Sequence, residues 1–416
     1  MSVFALLKDQ SIAALFAARL VSLTGNAIAP IALAFAVLEM PGASASTLGL
    51  VLTGRFLSQV LFVLVGGAIA DRFAKKQVMV YADVAAGAVQ MVVALLVITS
   101  HATPVVLAAL AALSGIAAAL FEPASRSLVP QLVGEEQLQS TNALVKLAMR
   151  GGSIIGAALA GVLVATMGTG PALAVDAVSF LVSAVLLVFV RVQKAAPPAT
   201  GPTLLRQMKD GWQEFTSRQW VWVMVAQLGF VNALLAGGFY VLGPVVAERS
   251  LDGASSWSVV LTTQAVGYVL GNVVALRFRP RRPIRAAMLL TVGFPLPLFL
   301  LAGTAPVYGI AAAAFASAIC LDLYDVTIDT ALQKNIPAAA LSRVMSYESL
   351  GSFACVPLGL SIAGPIADAV GVTTALTWAA VLMMLAGPLV LLLPSVRAVQ
   401  DVRPTADRSA AEVASD

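Results

Sequence analysis

Several acids in this chain stand inside otherwise apolar runs, and such placements suit the handling of a proton or a cation. Asp83, Glu122, Asp176 and Asp325 are singled out in this setting. An ionisable group within a lipid slab costs roughly 3 kcal/mol or more and marks a candidate site by default. Asp83 follows Lys76 by seven residues, which is about 10 Å along a helix rising 1.5 Å per residue. Asp83 and Glu122 each admit two roles. One is proton carriage, for which loss of water favours the neutral acid; the other is structural pairing with Arg126, Arg150 or a backbone amide. A further acidic pattern, Asp322-x-x-Asp325-x-x-x-Asp329, sets three carboxylates on one helix face. Carboxylates on one face can share a divalent cation. Finally, Gly67-Ala-Ile-Ala-Asp71-Arg72-Phe-Ala-Lys75-Lys76 places one acid among three cations.

The elements that must position these residues are long and apolar. Hydrophobic residues make up 59% of the chain and charged ones 11%, against about 45–50% and about 25% in soluble domains. Mean hydropathy is +0.92. Apolar runs at about 11–38, 48–70, 78–99, 104–125, 141–166, 171–191, 219–247, 256–277, 284–303, 305–326, 343–367 and 372–394 each approach the ~20 residues that cross a bilayer. Twelve spans are therefore predicted, the first retained rather than cleaved. Lys and Arg concentrate in alternate loops, with Arg249 alone on the opposite side and Arg19, Arg55 and Arg150 within spans. That bias places both termini in the cytoplasm. It also explains the net charge of +4 without nucleic acid as a partner.

Several chemistries are excluded. Cys320 and Cys355 lie within apolar segments, which leaves neither a disulfide framework nor a metal cluster. No Gly-Lys pair exists, so there is no phosphate-cradling P-loop and no ATP-driven transport by this chain alone. His101 is isolated in a short outer loop. No cofactor or metal is expected.

An internal repeat divides the chain. At an offset of 203, Phe121-Glu122 matches Tyr324-Asp325, and Gly156, Ala160, Gly161 and Gly168 match Gly359, Ala363, Gly364 and Gly371. Gln59, Gly66, Arg72 and Phe73 match Gln264, Gly271, Arg277 and Phe278 at 205. Asp71 has no counterpart, since Leu276 stands there. The expected organisation is a six-helix bundle over 1–191, a linker over 192–218, a second bundle over 219–396 and a disordered cytoplasmic tail over 397–416. Within the linker, Leu204, Leu205, Met208, Trp212 and Phe215 recur at helical spacing against Arg206, Lys209, Asp210 and Glu214, as in a helix lying on the inner leaflet.

The Gly67–Lys76 run resembles the loop between the second and third helices of the major facilitator superfamily, in which Gly67, Asp71, Arg72 and Lys76 match and Ala74 replaces a glycine. Gly152-Ser-Ile-Ile-Gly156-Ala-Ala-Leu-Ala160-Gly161 is similar to that family's antiporter motif, with Ala157 in place of proline and Ala160 in place of glycine. Phe121-Glu-Pro-Ala-Ser-Arg126 with Asn142, and Arg19-Leu-Val-Ser-Leu-Thr-Gly-Asn26, resemble the bacterial drug and siderophore exporter branch, the macrolide and enterobactin exporters. Asn26 stands where members commonly carry Asp.

The resemblance implies an all-α membrane protein of twelve transmembrane helices in two pseudo-symmetric six-helix bundles, in the bacterial inner membrane. It implies a conformational switch at Gly67, Asp71, Arg72, Lys76 and Arg126, with Asp71 facing a helix end near Ser342. Spans 1, 4, 7 and 10 line the cavity in that fold, which makes Arg19, Asn26, Gln227, Asn232, Phe239 and Tyr240 the substrate candidates; interhelical hydrogen bonding is their alternative role. The expected function is export of a small amphipathic molecule, a drug, antibiotic or secondary metabolite, by proton antiport in a monomer. The alternatives are a siderophore exporter of the same fold, a non-transporting receptor or scaffold, and a membrane prenyltransferase using Asp322, Asp325 and Asp329.

Overall fold

The structure is a computed structural model that describes residues 3–192 and 204–397. The remainder of the linker and of the tail lies outside the described residues. Among the described residues all regular structure is helical, and twelve helical stretches are long and apolar enough to cross a membrane. Span 1 is Gln10–Leu38, span 2 Ala45–Val63, span 3 Lys75–Ile98, span 4 Pro104–Leu132, span 5 Glu136–Met167 and span 6 Thr169–Val188. Span 7 is Gln219–Ser250, span 8 Gly253–Ala275, span 9 Pro283–Ala302, span 10 Val307–Asn335, span 11 Val344–Val370 and span 12 Val372–Val390. Their alternation defines a basic end, holding Arg72, Lys75, Lys76 and the Arg277–Arg285 cluster, and a far end holding Gly42, Gly168 and Gly371.

Apolar side chains on most sides of each span let the helices pack in two sets of six. Span 1 lies on spans 5 and 6, span 2 on span 4 and span 3 on span 6; span 8 lies on span 10, span 7 on span 11 and span 9 on spans 10 and 12. The repeat read from the sequence recurs in the backbone, since Gly168 and Gly371 turn the chain into spans 6 and 12 with the same φ of 87°. Only glycine adopts that conformation without strain.

Three spans of the second half are broken where the sequence runs continuously apolar. Span 7 widens into a π-helical segment at Ala236–Leu242. Span 9 divides around Thr291–Gly293, ahead of Pro295 and Pro297, and span 11 divides at Cys355, ahead of Pro357. Proline removes a backbone donor and its ring crowds the preceding turn, which accounts for the last two breaks. The linker helix Leu204–Ser217 meets protein as well as any leaflet. Trp212 and Phe215 stack around Tyr347 at the start of span 11, with centroids 5.5 and 5.8 Å away, and Phe215 is buried.

The halves meet by spans 5 and 8 and by spans 2 and 11. Contact is tightest at the far end. There Ser46 donates to Asp368 at 2.6 Å, Gly364 lies on the backbone of Ala45 and Ser46, Gly49 on Leu360 and Gly161 on Ser258. Towards the basic end the facing walls are bare: Asn142, Ala143 and Lys146 of span 5 are exposed, as are Asp325 and Asp329 of span 10.

Candidate functional site

Spans 1, 3, 4 and 6 bring four of the singled-out residues together near the basic end, Arg19 and Asp83 buried and Glu122 and Arg126 towards the surface. Arg19, only 4% exposed, donates to Glu122 at 3.4 Å and has its guanidinium 5.2 Å from the centre of the Phe121 ring. Exposed Arg126 reaches the other oxygen of Glu122 at 3.2 Å, one helical turn away. Glu122 is thus engaged by two guanidinium groups. Asp83 is buried and accepts from the Ser183 hydroxyl at 2.6 Å. No cation lies within ion-pair distance of it among the described residues, although Arg19 is an electrostatic neighbour.

A second cluster stands farther along the same bundle. Arg55 donates to Asn26 Oδ1 at 3.1 Å, and Asp176 is buried nearby with Oδ1 lacking a partner. Gly25 permits this arrangement, because a Cβ there would meet the side chains of Asp176 and Ser179. Gly152 and Gly156 belong to this packing too, lying on the backbone of span 1 beside Leu20 and Thr24, whereas Gly161 faces span 8 in the other half. The glycines of the antiporter-like run therefore serve two different contacts.

At the 2–3 hairpin, Gly67 has open space where a Cβ would be. Arg72 is exposed, and Lys76 donates to the carbonyl of Val188 at 2.6 Å, a cation on the carbonyl end of span 6. The side chains of Asp71 and Ser342 lie outside the described part of the structure.

In the second half, Asn232 donates to the Ser352 carbonyl at 2.9 Å, joining span 7 to span 11. Gln227 is buried with neither amide atom bonded. Phe239 is fully buried between Trp257 and Tyr240, at centroid distances of 4.9 and 5.5 Å, and Tyr240 is partly open. Arg19 and Asn26 stay with the first half and Gln227, Asn232, Phe239 and Tyr240 with the second.

One constellation crosses between the halves, and sequence reasoning did not assemble it. Arg150 of span 5 donates to Asp322 of span 10 at 3.3 Å, and Asn272 of span 8 donates to the same oxygen at 2.8 Å. The Arg150 guanidinium also sits 5.4 Å from the centre of the Tyr268 ring. An open hollow of about 540 Å³ lies along the same helix towards the basic end, lined by Leu138, Gln139, Asn142, Ala143 and Lys146 of span 5. The signal was available: Arg150 is a charge inside a span, and such a charge needs a partner. Its partner is 172 residues away, and spacing along the chain gives no hint of that.

No cluster of three or more metal-ligating side chains exists among the described residues. Asp322 is engaged by Arg150 and Asn272, so the Asp322, Asp325 and Asp329 pattern is not a free triad for magnesium.

Residues 15–347 match the family profile described as Major Facilitator Superfamily. The multidrug efflux pump Tap of Mycolicibacterium fortuitum is 27% identical over 92% of this chain and 95% of its own length. Macrolide efflux protein A of Streptococcus pyogenes is 23% identical over 86% of this chain and 89% of its own. Among solved structures, the nucleoside transporter NupG superposes with a TM-score of 0.78 at 11% identity, covering 92% of this chain and 99% of that one. A bacterial homologue of the human lysosomal transporter Spinster, inward-facing and unoccupied, superposes with a TM-score of 0.72 at 14% identity, over 94% and 97%. These structures carry the fold.

Proposed function

Because the chain belongs to the Major Facilitator Superfamily, we propose that it is a drug or metabolite exporter that works by alternating access and is driven by protons moving the other way. The observation that carries this reading is the seam between the halves, closed at the far end and open at the basic end. An alternating-access carrier rocks its two halves about a central site in this manner. The positive-inside rule puts the basic end, with both termini, in the cytoplasm, so the opening is where cargo loads. The membrane is then the bacterial inner membrane, and the working unit is a monomer.

Relatives named for multidrug and macrolide efflux support an amphipathic cargo. Asn26, Asn232 and Tyr240 are the proposed wall of its path, to which Lys146 is added from the opening, whereas Arg19, Gln227 and Phe239 are buried within their bundles. Of the four acids, Asp325 is the proposed proton carrier, because it alone is exposed on the wall of the opening. Asp83 and Glu122 are occupied within the first bundle, and Asp176 is enclosed there.

A susceptibility panel in cells with and without the protein should show protection against some amphipathic compounds, and collapsing the proton gradient should abolish it. Protection that survives the collapse overturns the coupling. Protection limited to iron chelators makes the protein a siderophore exporter instead, and none at all points to a receptor or scaffold.

Asp71 is the proposed switch, facing the start of span 11 when the opening closes. A charge at a helix end contributes about 0.3–2 kcal/mol, enough to bias two states but below the ~5.5 kcal/mol that inverts a 1:99 population. Asp71→Asn should leave expression unchanged and reduce efflux to background; efflux at the normal rate removes the switch.

A further inference from the structure

We propose that Asp322, Tyr268 and Asn272 form a cation site in the second half, filled in this conformation by the Arg150 guanidinium and, once Arg150 withdraws, by a positively charged nitrogen of the cargo. The proposal rests on the export reading above. Three observations carry it.

Asp322 is only 4% exposed, and both its donors end on Oδ1 while Oδ2 has no partner. The carboxylate thus keeps an unused oxygen although it is buried, and buried polar atoms in native proteins are rarely left so. Gly271 makes the room: a Cβ at that position would stand 2.7 Å from the Cβ of Asp322 and 3.2 Å from Oδ2.

Tyr268 adds the second element of a cation site. Its ring faces the Arg150 guanidinium at 5.4 Å, and a cation over an aromatic face gains about 0.5–2 kcal/mol according to its exposure. Carboxylate, ring and amide all belong to spans 8 and 10, whereas the cation they hold comes from span 5. Arg150 is therefore bound there much as a ligand would be.

Arg150 is also loosely held. It is 46% exposed and makes one contact of 3.3 Å to the carboxylate, without the paired hydrogen bonds of a strong guanidinium–carboxylate fork. When the halves rock, that contact stretches, and a buried carboxylate left without a counter-charge is costly. The surroundings favour a positive replacement. Asp325 and Asp329 stand on the same helix, Glu348 faces Asp325 from span 11, Tyr240 neighbours Tyr268 from span 7, and Lys146 of span 5 faces Asp329. Acids outnumber cations on this wall, so a cationic cargo fits it and an anionic one does not.

The test is equilibrium binding to the purified full chain of ethidium, a permanent planar cation, and of Nile red, an uncharged apolar dye. Arg150→Gln should tighten ethidium binding by about fivefold, because a tethered competitor has gone and the competent fraction rises. Asp322→Asn and Tyr268→Leu should each weaken it by roughly tenfold, with Nile red binding moving less than about twofold in all three. The opposite signs for Arg150 and Asp322 are what a merely structural ion pair would not produce. If both substitutions weaken ethidium alike, or neither moves it, the pair is a strut and the proposal falls. Should Asp322→Asn not fold, Arg150→Gln and Tyr268→Leu decide the matter. Vesicle transport by the unaltered protein separates the two readings: transport alongside failed ethidium signs sinks the cation site alone, and absence of any transport sinks export.

Discussion

Gly364→Val should hold the halves apart at the far end and lower transport by roughly a hundredfold, each 1.4 kcal/mol of displaced equilibrium being a factor of ten. A Cβ on residue 364 would overlap the backbone of Ala45 and Ser46 across the seam, and backbone cannot step aside as a flexible side chain does. Overpacking of this kind costs about 1–3 kcal/mol and sometimes more. The crowded atoms belong to the opposite half, so the second bundle should fold normally and the whole cost should fall on one conformational state. Spin labels on the two halves at the far end should report a longer separation, with the melting temperature unchanged. A separation and rate equal to those of the unaltered protein would remove the seam from the mechanism.

Asp325→Asn should abolish uphill efflux driven by a pH gradient, by at least about tenfold, the scale of a typical coupling free energy. Exchange of labelled for unlabelled cargo should persist. Asp325 is exposed on the second half's wall and one turn from Asp322, close enough for its charge to be felt by a bound cation. Glu122, its repeat partner in the first half, is bridged to Arg19 and Arg126, and Glu122→Gln should loosen that bundle rather than uncouple transport. Loss of exchange together with uphill efflux in Asp325→Asn would show a binding defect and cost Asp325 its coupling role.

The twelve spans and their two-fold grouping were legible because lipid demands long apolar helices and an internal repeat leaves its glycines at fixed offsets. The breaks in spans 9 and 11 were signalled by Pro295, Pro297 and Pro357. The π-helical segment of span 7 carries the same kind of mark, since Gly237-Gly238 lie within Ala236–Leu242 and the ring of Pro244 falls on the carbonyl four residues before it. Charges inside spans were visible individually, yet their partners were not. Arg55 with Asn26, Arg19 with Glu122 and Arg150 with Asp322 are contacts between helices that periodicity treats separately. Gly161 shows the same limit: it shares a motif with Gly152 and Gly156, and only the packing shows that it faces the other half.

The closed seam is built largely from glycine, alanine and serine set against backbone, with one hydrogen bond from Ser46 to Asp368. A surface so economical has few atoms to trade. Natural variation that widens the range of tolerated compounds therefore has little latitude there and most of it at the opposite mouth, along Asn142, Lys146, Asp325 and Asp329. Resistance arising under selection should accumulate on that side, leaving the glycine face as the stable target for an inhibitor.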